Sequence, residues 1–160
     1  MAQKFRRRII REKVLQVLFA CEMNQDSLHN SMEEILADIS NKTDREFAND
    51  LINRTLKHTT ELDEIIKGRV SNWEINRIAL IDRILMRIGI CELLYFPDIP
   101  PKVSINESIE IAKEYSTAGS AKFINGILDA ILSNEKKSGR LNKQGRGLVE
   151  GTISKSSDES

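Results

Sequence analysis

Six basic residues open the chain: Lys4, Arg6, Arg7, Arg8, Arg11 and Lys13 stand against a single acid, Glu12. Arginine forks onto phosphate and stacks on bases, so such a cluster at a helix start suits an RNA backbone. A solvated basic leader is the plain alternative. Near the other end, Lys122 and Phe123 stand together in front of Gly126, within KVSINESIEIAKEYSTAGSAKFINGILD (Lys102 to Asp129). A cation beside an aromatic ring is what phosphate neutralisation and base stacking require. Gly126 interrupts a helical pattern at about 1 kcal/mol relative to Ala. Either close helix packing or a closely approaching ligand must compensate, and packing is the first reading. Bond-breaking chemistry has no comparable footing. His29 and His58 belong to no metal-ligating pattern, and GxGxxG, P-loop, GxSxG and HExxH motifs are absent from the sequence. Acid pairs such as Glu33-Glu34 read as solvated helix faces. We expect no enzymatic activity, no metal and no cofactor.

The helix that carries the arginines sharpens this. With about 100° per residue and Ile10 at zero, Val14, Val17 and Cys21 fall within about 40°. On that wheel Arg11 lies near 100°, Leu15 near 140°, Arg8 near 160° and Phe19 near 180°. Phe19 is therefore expected to face away from the core, in line with arginines and free to stack on a base, unless a second helix covers it.

Around these residues the chain reads as all-α. With 160 residues it forms one domain able to bury a real core. Apolar residues recur at helical spacing over about 6–24, 28–39 and 43–68. Thr43-Asp44 is expected to cap the third of these helices. Ser71 to Glu74 fits a capping box opening the most apolar segment, Ile75 to Phe96, which reads as the buried centre of a bundle. Pro97, Pro100 and Pro101 stop it. Ser104 and Ser120 are expected to cap the last two helices, giving about seven in all. From residue 136 the composition turns to Gly, Ser, Lys and Asn, so 1–135 is taken as the folded domain and 136–160 as a flexible tail.

The formal net charge of +0 hides a polarised distribution. Residues 136–148 carry five bases and no acid, whereas ten acids lie between Asp26 and Glu64. Such a molecule can attract a polyanion on one face and show a partner another. No apolar run reaches the roughly 20 residues of a membrane span, and no apolar stretch follows the N-terminal bases. Cys21 and Cys91 sit in apolar helical patterns, as reduced cysteines of a cytoplasmic protein do.

These residues resemble the bacterial transcription antitermination factor NusB family. The resemblance is carried by RRR-x-x-RE (Arg6 to Glu12), Ile81-Asp82-Arg83 through Arg87-Ile88 to Glu92-Leu93-Leu94, Lys102-Val103-x-Ile105-Asn106-Glu107, and Ser120-x-Lys122-Phe123-Ile124-Asn125-Gly126-x-Leu128-Asp129. It implies two packed helical bundles and no catalysis. It also implies binding to the boxA element of ribosomal RNA leaders together with NusE, the tenth small-subunit ribosomal protein, for delivery to RNA polymerase with other Nus factors. The RNA-facing positions it implies are Arg7, Arg8, Arg11, Phe19, Arg87, Lys102, Tyr115, Lys122, Phe123 and Asn125. NusE-facing positions would be Glu74 and Asp82, and a homodimer is compatible with the family. Gly119 stands where many members carry an acid beside the RNA. A helical protein–protein adaptor or regulatory domain without sequence-specific RNA binding is the alternative.

Overall fold

The most apolar segment is the centre of the molecule. In the computed structural model, which describes residues 2–24, 27–70 and 77–149, helix α5 (Leu80–Tyr95) buries every side chain from Ile84 to Leu93. It packs against α1 (Ala2–Asn24), α3 (Lys42–Lys57), α4 (Thr59–Lys67), α6 (Pro101–Tyr115) and α7 (Ala118–Ser138). A helix apolar on all sides is stable only when enclosed in this way. On one flank α1 packs with α3 and with α2 (Leu28–Ile35); on the other, α6 and α7 lie against each other. One continuous core of Ile, Leu and Val runs through both groups. Gly89 brings the second group close: a Cβ there would lie 3.0 Å from Ser108 Oγ and 3.1 Å from Leu128 Cδ1. The described residues thus form seven α-helices and one 3-10 turn, Gly145–Leu148, as expected of an all-α chain.

Several local expectations give way. The helix expected over 43–68 is two, parted at His58, whose φ of −105° and ψ of 15° break the helical run. Asn41, not Thr43, caps α3 by accepting the Asp44 N–H at 3.0 Å. Thr117, not Ser120, caps α7 by accepting the Ser120 N–H at 2.9 Å. Ser104 is no cap, because Pro101 already opens α6, where its fixed φ fits the first turn. Ser104 is instead buried and donates to Glu92 Oε1 at 2.8 Å. The capping box at Ser71–Glu74 lies outside the described residues.

The boundary expected at residue 136 falls inside α7, which ends at Ser138 with Gly139 in the left-handed region (φ 78°). Residues 140–149 then fold back on the body. Arg140 bridges Glu61 (2.8 Å) and Glu135 (3.2 Å). Lys143 Nζ donates to the carbonyls of Glu92 (3.0 Å) and Phe96 (2.8 Å), filling the C-terminal end of α5. Gly147 is buried so tightly that a Cβ would run into the Pro97 carbonyl. Composition misled here because these anchors are polar: they are specific hydrogen bonds rather than an apolar stripe.

Burial pushes the Lys143 amine down to about 8 from 10.5. The unfolded chain therefore holds the proton more tightly between those values, and stability contributed at this site rises with pH across that window. The stability difference between wild type and Lys143→Met, measured by denaturant titration, should shift in favour of wild type from pH 8 to pH 10. A pH-independent difference would contradict this.

Candidate nucleic-acid interface

Three carboxylates from three helices receive the arginine run of α1. Arg11 is only 4% exposed, and its Nε and Nη2 reach both oxygens of Glu92 at 2.8 Å. Burial alone would lower its pKa, but the Glu92 carboxylate outweighs that and raises it. Arg8 forks onto Glu107 of α6 with two 2.9 Å bonds, which raise its pKa. Arg7 lies over the Phe47 ring, 4.1 Å from its centroid, and 3.8 Å from Asp44. Burial and the neighbouring Arg11 lower its pKa. Arg6 is half exposed and bonds Asp44 at 2.9 Å. Availability to an outside anion thus falls steadily from Arg6 to Arg11.

Two further expected contacts are drawn into the body, Arg87 fully and Phe19 in part. Arg87 is buried, donating to Asp63 (2.7 and 2.9 Å) and to Glu22 (3.0 Å). Phe19 packs against the core, and Leu15, on the same side of α1, is 2% exposed. The wheel failed there because α1 touches α2, α3, α5 and α6, so more than one of its faces is covered. Tyr115 is half-buried at the end of α6, its hydroxyl accepting from Gln16 Nε2 at 3.0 Å.

The groups left accessible lie on α1, α6 and α7. Lys102 opens α6 and pairs with Asp129 of α7 at 3.8 Å. Lys122, Asn125 and Gly126 are exposed, and Phe123 keeps 36% of its surface in solvent. On α6, at about 100° per residue, the strip of Val103, Asn106, Glu110 and Lys113 lies between Glu107, which faces α1, and Lys102, which faces α7. The three helices therefore share one outer face, with cations at both of its edges. Phe5, 52% exposed with the Arg8 guanidinium 6.0 Å from its ring centroid, extends the α1 edge. Periodicity did not single out Phe5; an aromatic directly before an arginine run was the available signal.

Comparison with known proteins agrees with this architecture. Residues 8–133 match the NusB family model. A transcription antitermination protein NusB of Chloroherpeton thalassium is 48% identical over 149 residues, covering 90% of this chain and 69% of that protein. The chain belongs to the NusB family. Among solved structures, NusB of T. maritima superposes with a TM-score of 0.75 at 37% identity, over 82% of this chain and 96% of that one. A chain from a crystal structure of antitermination factors NusB and NusE with double-stranded RNA superposes with a TM-score of 0.73 at 24% identity, over 84% and 99% of the two chains. That last likeness speaks for the fold. The family model ends at residue 133, before the segment 139–149 that caps α5.

Of the two positions tied by resemblance to NusE, Asp82 is 5% exposed, in the first turn of α5 where helix amides favour a carboxylate. Glu74 lies outside the described residues. Among the described residues no group of His, Cys, Asp and Glu is arranged to hold a metal ion, and no helix is long and apolar enough to cross a membrane.

Arg11→Ala should destabilise the fold by about 3–5 kcal/mol, because Glu92 would remain buried without its partner. Arg6→Ala should cost less, about 1–2 kcal/mol, because Arg6 is half exposed and the buried Asp44 keeps Arg7 3.8 Å away. Urea unfolding of both variants checks the contrast, and equal losses would refute the division into framework and free arginines.

Proposed function

We propose that this protein is a transcription antitermination factor that binds the boxA element of nascent ribosomal RNA leaders together with NusE, and so promotes antiterminated transcription by RNA polymerase. The observation that carries the reading is the accessible set of cations and rings along α1, α6 and α7, on a chain whose relatives are named antitermination proteins. The NusB chain crystallised with NusE and double-stranded RNA, which shares this fold, has partners of the same two kinds. Arg6, Lys102 and Lys122 neutralise phosphates, with Arg7 and Arg8 contributing their exposed edges. Phe123 stacks a base, and Asn125 and Tyr115 supply hydrogen-bonding groups at other points along the strand's path. Arg11 and Arg87, committed to the carboxylates of Glu92, Asp63 and Glu22, hold the platform rigid instead of touching RNA, and the half-buried Phe19 packs against the core. The protein works by binding, in the cytoplasm where transcription occurs, with no step of bond making or breaking. The segment beyond Ser138 belongs to the folded body as far as Val149.

A boxA oligonucleotide titration tests this, with and without NusE. The logarithm of affinity should fall against the logarithm of salt with a slope of about −2 to −4, because single-strand contacts contribute roughly −0.7 each. Phe123→Ala should weaken binding by about 1–3 kcal/mol with unchanged unfolding. A NusE complex that forms normally while RNA binding is absent would instead support the adaptor.

A further inference from the structure

Two glycines interrupt helix interiors, and only one of them is explained by packing. At Gly89 a Cβ would press on Ser108 and Leu128, whereas a Cβ at Gly126 would meet no atom within 4 Å. Gly126 is exposed, lies midway along α7, and is not among the glycines with positive φ. Neither neighbouring side chains nor backbone geometry asks for glycine there. The close-packing explanation therefore fails at this position, and space outside the molecule is what the missing side chain leaves free.

The position of that space is informative. Taking Asp129 as zero, because it pairs with Lys102 at the α6 edge, and about 100° per residue, Lys122 lies near 20°, Gly126 near 60° and Phe123 near 120°. The buried residues Ala121, Ile124, Leu128 and Leu132 occupy the opposite half of the helix. Lys122 thus faces the α6 side, Phe123 faces away from it, and Gly126 is the crest between them. Side chains on a helix lean toward its N-terminus. One at 126 would consequently bend over the preceding turn, between the Lys122 amine and the Phe123 ring.

We infer that Gly126 is the crossing point at which a single RNA strand, neutralised by Lys122, passes over α7 so that a base lies flat on Phe123. The inference rests on the RNA reading above and adds a specificity-determining position to it. A side chain on the crest would lift the strand and shade the ring. The bare backbone lets both contacts be made by neighbouring nucleotides.

The test compares wild type, Gly126→Ala, Gly126→Gln and Phe123→Ala in fluorescence anisotropy with a single-stranded boxA oligonucleotide, alongside thermal unfolding. Because alanine and glutamine favour a helix over glycine, both Gly126 variants should raise the melting midpoint, by about 2–4 °C for alanine in a domain of this size. Affinity should fall roughly three- to tenfold for Gly126→Ala and further for Gly126→Gln, as partial loss of one stacked base implies. Wild-type affinity in both Gly126 variants, with Phe123→Ala impaired, would overturn the crossing while leaving the RNA reading intact. A fall in the midpoint accompanying the loss would also overturn it, since the glycine would then serve the helix. Absence of binding by wild type would overturn both.

Discussion

The buried fork between Arg11 and Glu92 is the contact on which the arrangement of helices turns. It joins the middle of α1 to the last turn of α5, and Ser104 brings α6 to the same carboxylate. Isolated, either charge would be untenable at this depth; together, with every bond near 2.8 Å, they fix the register of three helices at once. The Arg8–Glu107 fork repeats the device one turn earlier, closer to the surface. The two forks hold α6 beside α1, and the shared outer face of α1, α6 and α7 follows from that placement.

Much of this was legible in the chain itself. Periodicity found the helices, and the all-round apolarity of the segment Ile75 to Phe96 identified the central one. What periodicity could not show was which arginines would be spent inside. Arg6, Arg7, Arg8 and Arg11 look alike in sequence; the difference lies in acids from 37 to 99 positions away, Asp44, Glu92 and Glu107, which only the tertiary fold brings near. Phe19 fails for a related reason, since a wheel assumes one covered face and α1 has several. The caps of α3 and α7 slipped by two and three residues between neighbouring polar side chains of similar capping strength, which local sequence barely distinguishes.

The same charges therefore serve two ends. Those near the chain's start are progressively absorbed into the framework, and those on α7 remain free. Rigidity of the first set is what makes the second useful: a lysine and a ring held on a helix, itself packed against α5 and α6, need no ordering when a strand arrives, so little entropy is lost on contact.

Lys143 completes the last turn of α5 by holding carbonyls 47 and 51 residues earlier in the chain. During synthesis the central helix must therefore emerge and pack while its final turn still lacks those donors. Closure of that turn waits until Lys143 itself has been made, and synthesis at about 5–20 residues per second is far slower than helix formation. Residues 140–149 thus act as a late-arriving clasp, fastened only after the helices it secures have already met.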